Sequence, residues 1–139
     1  MILLDTNVVS ALMRSDPDPI VVAWLDELPP ESVWTTSITV FEIRMGLDLL
    51  TDERRRRVLE EAFSKALEED FESRVVPFDP SAAQAAGRIA AERRRAGRTV
   101  EIRDVQIAGI AAAPKATLAT GNLRHFEGLG LGLVNPWSV

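Results

Sequence analysis

The chain has 139 residues, of which 46% are hydrophobic, and a formal net charge of −5 from 16 Lys and Arg against 21 Asp and Glu. This length and composition predict one compact domain over residues 1–139, and neither a membrane-spanning stretch nor a signal-peptide pattern is present. No cysteine and a single histidine exclude disulfides, thiolate metal sites and His-rich zinc sites, and favour a cytoplasmic protein. Any metal would be held by oxygen ligands, which favours Mg²⁺ or Mn²⁺.

Short apolar runs alternate with amphipathic segments along the chain. Strands are predicted at residues 2–4, 32–37, 74–78, 116–120 and 131–137, and helices at residues 8–13, 20–28, 38–50, 53–71, 81–97 and 102–113. Ser37 or Thr39 is the expected cap of the 38–50 helix, and Pro114 is expected to end the last helix. This alternation predicts an α/β sandwich with a mostly parallel central sheet flanked by helices.

Asp5 directly follows the first predicted strand. A carboxylate at the end of a buried apolar run costs free energy unless something compensates it. Ligand sites in parallel α/β folds lie beyond the carboxyl ends of the strands, and Asn122 follows the fourth predicted strand in the same way. Both residues are therefore site candidates, although Asp5 could also serve only as the cap of the next helix, and Asn122 as a plain cap of the turn at residues 122–126.

Glu42 is a candidate because it interrupts an apolar helical stripe. Its neighbours on the same helical face are Ile38, Met45 and Leu49. The carboxylate is therefore predicted to border an apolar face rather than a solvated one. The alternative is a capping box between Thr39 and Glu42, which fits the T-x-x-E pattern.

Asp104 is a candidate because it shares a helical face with Ile107 and Ala108 in a nearly all-apolar helix. It could instead be the N-cap of that helix. Glu101 is a weaker candidate, since Arg103 is close enough to pair with it.

The remaining polar features are less specific. His125, beside Phe126, is expected to be structural rather than a general base. The arginine runs at residues 54–57 and 93–95 could form basic patches for nucleic acid. Solvated helix faces, with pairs such as Arg57 and Glu61, are the expected arrangement.

The acidic candidates come from separate parts of the chain, and together they suggest one cleft. Crowded carboxylates repel one another and raise their own pKa values. A divalent cation removes this repulsion, and Asp5 and Asp104 are the best candidates for its ligands. The constellation suggests metal-assisted hydrolysis of a phosphodiester.

The chain resembles the PIN domain family, and within it the VapC-type (FitB-like) ribonuclease toxins of bacterial type II toxin–antitoxin modules. Four blocks in the family's order carry the resemblance, namely ILLDTNVVS, SITVFEIRMGL, EIRDVQIAGIA and LATGNLRHFEGLGLGLVNPW. It implies a PIN-like Rossmannoid sandwich in which Asp5 and Asp104 hold Mg²⁺ or Mn²⁺. It also implies that Glu42 is the third acid of the catalytic set and that Asn122 fills its fourth position.

The same resemblance implies supporting residues and partners. Thr6 and Asn7 match polar residues that orient the first aspartate, and Thr120 matches a threonine of the site. The implied activity is endoribonuclease cleavage of RNA, with transfer RNA the commonest substrate in the family. The implied partners are a second copy in a homodimer and a cognate antitoxin, through which alone operator DNA is bound.

One position departs from the family pattern. The usual Thr-Arg-Asn or Thr-Arg-Asp reads Thr120-Gly121-Asn122 here. This leaves open an alternative, a weakly active or inactive module that acts mainly in an antitoxin-bound, operator-DNA-binding complex. A phosphatase with Asp5 as nucleophile is less well supported, because Asn7 stands where haloacid-dehalogenase-type phosphatases carry a second acid.

Overall fold

A five-stranded parallel sheet flanked by helices confirms the predicted fold class. The computed structural model describes residues 1–112 and 116–139. The strands are β1 (Ile2–Leu4), β2 (Val33–Thr36), β3 (Val75–Val76), β4 (Thr117–Ala119) and β5 (Gly132–Val134), and the helices are α1 (Thr6–Leu12), α2 (Pro19–Asp26), α3 (Ser37–Asp48), α4 (Glu53–Lys65), α5 (Pro80–Arg95) and α6 (Ile102–Ala112). None of the helices in these two ranges has the length and apolar character that a bilayer crossing requires.

The strand order is β3-β2-β1-β4-β5, with β1 at the centre. The chain adds β2 and β3 on one side of β1 and then β4 and β5 on the other, so the direction of strand addition reverses between β1 and β4. A crevice opens at such a switch point, beyond the carboxyl ends of the strands. The Asp5 backbone N–H donates to the Ala119 carbonyl at 2.9 Å, which extends the ladder into this crevice.

Both faces of the sheet are buried, as its parallel topology requires. Adjacent residues of β1 point to opposite faces. Leu4 packs with Val8, Val21 and Phe63 on one face. On the other face Leu3 belongs to a second cluster, made mainly of residues from α6, β4 and the segment after it.

The cap of α3 differs from the prediction. Thr36, rather than Ser37 or Thr39, is the N-cap, and its hydroxyl oxygen accepts the Thr39 backbone N–H at 3.1 Å. Thr39 is therefore already inside the first turn. The predicted capping box between Thr39 and Glu42 is wrong, because that box would need Thr39 at the cap position.

Several other boundaries are adjusted. The predicted helix at residues 53–71 consists of α4 followed by a π-helical turn at Ala66–Asp70. Asp79 caps α5, and Gly97 follows that helix in the left-handed region with φ 71°, as expected for a helix stop. Pro114, which was expected to end α6, lies outside the described residues.

Close packing between α5 and α6 depends on Gly109. A Cβ atom at this position would lie 2.5 Å from the Ala82 carbonyl oxygen and 2.7 Å from the Ala86 backbone nitrogen. Only glycine allows this approach. The contact fixes α6, whose first turn carries Asp104.

Candidate functional site

Asp5 lies at the carboxyl end of β1 and is only 5% exposed. It is the N-cap of α1, and its Oδ1 accepts the Thr6 backbone N–H at 2.8 Å, so the capping role considered from the sequence is present. Its Oδ2 also accepts the Thr120 hydroxyl at 2.8 Å and the Asn7 amide at 3.2 Å. A cap alone does not require these two further donors to Oδ2, which together with the Thr6 N–H at Oδ1 fix the orientation of the carboxylate.

Asn7 ties the first strand of the sheet to the loop after β4. Its Nδ2 also donates to the Thr120 hydroxyl at 3.3 Å, and its Oδ1 accepts the Gly121 backbone N–H at 3.1 Å. The Asn122 backbone N–H donates to the Thr120 hydroxyl oxygen at 3.0 Å. Residues that are more than 110 positions apart in sequence therefore form one polar unit around Asp5.

Glu42 reaches the site from α3 through a row of hydroxyls. The Thr6 hydroxyl donates to Glu42 Oε1 at 2.8 Å. Thr6 has then used its proton, so the Thr39 hydroxyl, 3.0 Å from it, donates to Thr6, and the Thr36 hydroxyl donates to Thr39 at 3.3 Å. Glu42 Oε2 lies 3.6 Å from the Arg103 guanidinium, which also lies 3.6 Å from Glu101, as predicted for that pair.

Asp104 lies in the first turn of α6 and is not its N-cap. Its Oδ2 lies 2.8 Å from His125 Nδ1, and the two side chains are 21% and 52% exposed. His125, which the sequence suggested was structural, is therefore a half-exposed neighbour of a candidate metal ligand. The negative charge of Asp104 is also favourable near the amino end of the helix.

The pKa of the Asp5 carboxyl is raised above its ordinary value, chiefly by burial. Hydrogen bonds from Thr120 and Thr6 oppose this rise, whereas the charge of Asp104 adds to it. The orienting bonds therefore offset only part of the cost of burying the charge.

The pKa of Asp104 is also raised, again chiefly by burial. His125 lowers it, while the charges of Glu101 and Glu42 raise it. Asp104 is thus close enough to Asp5 and to Glu42 for their charges to interact. The structure brings Asp5, Glu42 and Asp104 together at the switch point of the sheet.

The fit of this donor set to a divalent cation depends on how many carboxylates converge on one point. Among residues 1–112 and 116–139, no three His, Asp or Glu side chains are arranged to hold one ion together. Asp5 and Asp104 offer carboxylate oxygens, and the charge of Asp104 raises the pKa of Asp5. Two carboxylates fit Mg²⁺ or Mn²⁺, because Mg²⁺ commonly keeps several waters and is bound through only one or two carboxylates.

Asn122 is exposed, and it precedes a short 3₁₀ turn at Leu123–His125 without a side-chain capping bond. The plain-cap interpretation of its side chain is therefore not supported. Its place in the site is set through its backbone contact with Thr120, next to the group around Asp5.

Arg93 was missed by the sequence interpretation. The run at residues 93–95 was assigned to a solvated face, yet Arg93 is 9% exposed and donates to the His125 carbonyl oxygen at 2.7 Å. A signal was present, since Ala82, Ala86, Ile89 and Arg93 recur at helical spacing on the inner face of α5. Arg93 therefore braces the segment that presents His125 to Asp104.

Gly121, the departure from the family pattern, lies against an aromatic ring. A Cβ atom at this position would be 2.9 Å from Cζ3 and 3.2 Å from Cε3 of Trp137. The close approach of the indole to this loop is possible because residue 121 has no side chain. An arginine here would require Trp137 to move.

Comparison with known proteins gives a uniform picture. Residues 2–129 match the PIN domain family. The chain is 40% identical over 139 residues to the plasmid stability protein StbB of Pseudomonas syringae pv. tomato, with both chains covered completely. It is 36% identical to Toxin FitB of Neisseria gonorrhoeae over 99% of each chain, and 34% identical to VapC ribonuclease Y4jK of Sinorhizobium fredii over 99% and 98%.

Solved structures agree with this picture. FitAcB from Neisseria gonorrhoeae superposes with a TM-score of 0.90 at 36% identity, and each chain is covered completely. FitAB bound to an IR36 DNA fragment superposes with a TM-score of 0.89 at 36% identity, covering 100% of this chain and 97% of the other.

Proposed function

The chain belongs to the PIN domain family, alongside the VapC and FitB toxins, and on that premise we propose that it is a metal-dependent endoribonuclease, the toxin of a type II toxin–antitoxin module. The observation that carries the proposal is the meeting of Asp5, Glu42 and Asp104 at the switch point of the sheet. Asp5 and Asp104 have raised pKa values there. Burying carboxylates whose pKa values are raised costs folding free energy. A domain without catalytic chemistry would gain nothing from that cost.

Asp5 and Asp104 are the proposed ligands of Mg²⁺ or Mn²⁺. The chemistry that such a cation supplies is Lewis-acid stabilisation of the phosphodiester together with activation of water. The protein supplies rigid placement. Thr6, Asn7 and Thr120 fix the Asp5 carboxylate before substrate arrives, which is the preorganisation that charge stabilisation requires.

Glu42 is the proposed group for proton handling. Its Oε1 accepts from Thr6, and its Oε2 faces Arg103. A carboxylate held in this way keeps lone pairs available for a proton from water at the reacting phosphate. Asn122, exposed beside Thr120, is proposed to contact substrate at the rim of the site.

RNA is the proposed substrate, with transfer RNA the first candidate to test. The name of the Sinorhizobium fredii relative, a VapC ribonuclease, supports RNA as the substrate. The chain is acidic overall, so phosphate must be attracted by local positive charge rather than by the whole molecule.

A cognate antitoxin and a second copy in a homodimer are the proposed protein partners, with operator DNA bound only through the antitoxin. The structure of FitAB bound to an IR36 DNA fragment supports DNA binding by a complex of this kind. Phe41 and Met45 of α3 and Leu49 at its C-cap also form a row at successive helical turns and are 56%, 38% and 73% exposed. Contiguous apolar side chains on a surface mark protein contacts.

A weakly active or inactive module that works mainly within an antitoxin–DNA complex is the second candidate. Gly121 favours it, because the arginine that the family usually places there is absent. Retention of all three acids favours the nuclease.

Cleavage of RNA by the purified, partner-free chain is the decisive experiment. We expect cleavage with Mg²⁺ or Mn²⁺, none in EDTA, and none in Asp5→Asn or Asp104→Asn variants that remain folded by circular dichroism. Asp26→Asn, an exposed acid of α2, is the matched control and should cleave like the parent. Cleavage at the parental rate by either site variant would overturn the proposed site, and metal-dependent binding without cleavage by the parent would favour the inactive module.

A further inference from the structure

A cleft of about 460 Å³ opens beside the group around Asp5. It is lined by Asn7, Ser10 and Ala11 of α1, Arg14 in the bend after α1, Asp18 before α2 and Trp137 after β5. Its volume is within the range of small-ligand sites. The nuclease chemistry described above uses none of these residues except Asn7.

The cleft is continuous with the proposed catalytic site through Asn7. This side chain lines the cleft and also donates to Asp5 Oδ2 at 3.2 Å. A group in the cleft would therefore be separated from Asp5, a proposed metal ligand, only by the Asn7 side chain. That is the separation expected of a nucleotide that neighbours the reacting phosphate.

Trp137 forms a rigid aromatic wall of the cleft. It lies in a 3₁₀ turn at Pro136–Ser138, where Asn135 Oδ1 accepts its backbone N–H at 2.9 Å. Its ring is partly buried against the core and against Gly121. An aromatic ring that is fixed in advance stacks on a base without losing further side-chain entropy.

The polar groups of the cleft suit a nucleotide. Arg14 is exposed and offers positive charge for a phosphate in a protein whose net charge is −5. Ser10 is exposed and offers a hydroxyl, and the Asp18 carboxylate, whose Oδ1 accepts the Ile20 backbone N–H at 2.9 Å, offers acceptor oxygens for a base edge. An aromatic face beside a cation is the combination that proteins use to bind single-stranded nucleic acid.

We propose that this cleft binds one unpaired nucleotide of single-stranded RNA next to the scissile phosphate, with its base on Trp137 and its phosphate on Arg14. The proposal rests on the proposed ribonuclease function and adds to it a subsite for one nucleotide. The base must be unpaired, because a base inside a duplex cannot present its face to the ring. A nucleotide within a continuous duplex is therefore excluded from the cleft.

Steady-state cleavage of a short single-stranded RNA by the full chain tests the proposal. Arg14→Gln and Trp137→Leu should each raise KM about tenfold, the scale of one stacked base or one phosphate contact, and change kcat much less. Trp137→Phe should fall between Trp137→Leu and the parent. Trp24→Phe and Arg88→Gln replace the same residue types outside the cleft and should match the parent.

A substrate with one abasic position separates stacking from a general loss of structure. We expect an abasic nucleotide beside the cut to raise the parent's KM about tenfold and to raise that of Trp137→Leu no further, because the ring that read the base is already gone. Parental KM values for both Arg14→Gln and Trp137→Leu would overturn the cleft assignment. An equal abasic penalty in Trp137→Leu and the parent would overturn it as well.

Fluorescence anisotropy of labelled RNA distinguishes failure of the cleft from failure of the nuclease. If the parent binds RNA without cutting it, and the Arg14 and Trp137 variants bind about tenfold more weakly, the cleft is supported and the nuclease proposal fails. If the parent cuts RNA and the cleft variants bind and cut normally, the nuclease is supported and the cleft fails. Absence of RNA binding by the parent overturns both.

Discussion

Replacement of Gly109 by alanine tests the packing that holds Asp104 in place. The new methyl group would meet the Ala82 carbonyl oxygen at 2.5 Å, the Ala86 backbone nitrogen at 2.7 Å and the Ala86 Cβ at 2.8 Å. Two of these atoms belong to the backbone, so the clash cannot be relieved by a side-chain rotation. Helices α5 and α6 must separate instead.

The expected magnitude follows from two opposing effects. Overpacking of this kind costs about 3 kcal/mol at the upper end of its usual range. Replacing glycine by alanine within a helix returns about 1 kcal/mol. We therefore expect Gly109→Ala to lower the free energy of unfolding by about 2 kcal/mol, and the melting temperature by roughly 8 °C for a domain of this size.

Gly87→Ala on α5 is the matched control. A Cβ atom at Gly87 would have no neighbour within 4 Å. This variant should gain about 0.5–1 kcal/mol from helix propensity alone and melt above the parent. Urea denaturation and thermal melting of the three proteins measure both effects.

The same pair of variants reports on the site. If Gly109→Ala shifts α6, Asp104 moves with it and RNA cleavage falls, whereas Gly87→Ala should cleave like the parent. A Gly109→Ala protein that melts at or above the parental temperature would refute the close approach of α5 and α6.

Three further predictions concern the acids and their surroundings. Mg²⁺ or Mn²⁺ at about 100 times its Kd should stabilise the parent by about 2.7 kcal/mol, and Asp5→Asn should lose this stabilisation. Thermal melts with and without metal measure the effect. An unchanged response in Asp5→Asn would count against Asp5 as a ligand. Without metal, the raised pKa of Asp104 means that the folded state holds the proton more tightly than the unfolded state, so stability falls as the pH rises from the ordinary carboxyl pKa through the raised one. Asp104→Asn should flatten that fall in urea denaturation across acidic pH, and an unchanged profile would refute the assignment. Arg93→Gln removes the bond to the His125 carbonyl and should cost about 1.5–3 kcal/mol of unfolding free energy; a loss below about 0.5 kcal/mol would show that the brace is unimportant.

The parts of the fold that depend on local pattern could be predicted from the sequence. The apolar run of β1 that ends at Asp5 can be recognised from a few neighbouring residues, and so can the helix stop at Gly97. Boundaries were less certain where neighbouring residues compete for one role. Thr36, Ser37 and Thr39 can each cap a helix, and only the position at which β2 ends decides among them.

The contacts that complete the site depend on residues far apart in sequence. The His125–Asp104 pair and the Arg93 bond join segments 21 and 32 residues apart. Local periodicity carries no information about such distances. The contact between the Trp137 indole and Gly121 is also not predictable, because no feature of the sequence near residue 121 indicates it.

The central place of β1 has a consequence for the order in which the protein becomes active. β1 is the first strand to be synthesised, yet its partner β4 and the Thr120 hydroxyl that orients Asp5 come more than 110 residues later. At about 5–20 residues per second, translation takes roughly 6–23 s to pass from one to the other. During that interval the nascent chain has no assembled carboxylate centre, so the complete site arises only after Thr120 has been synthesised.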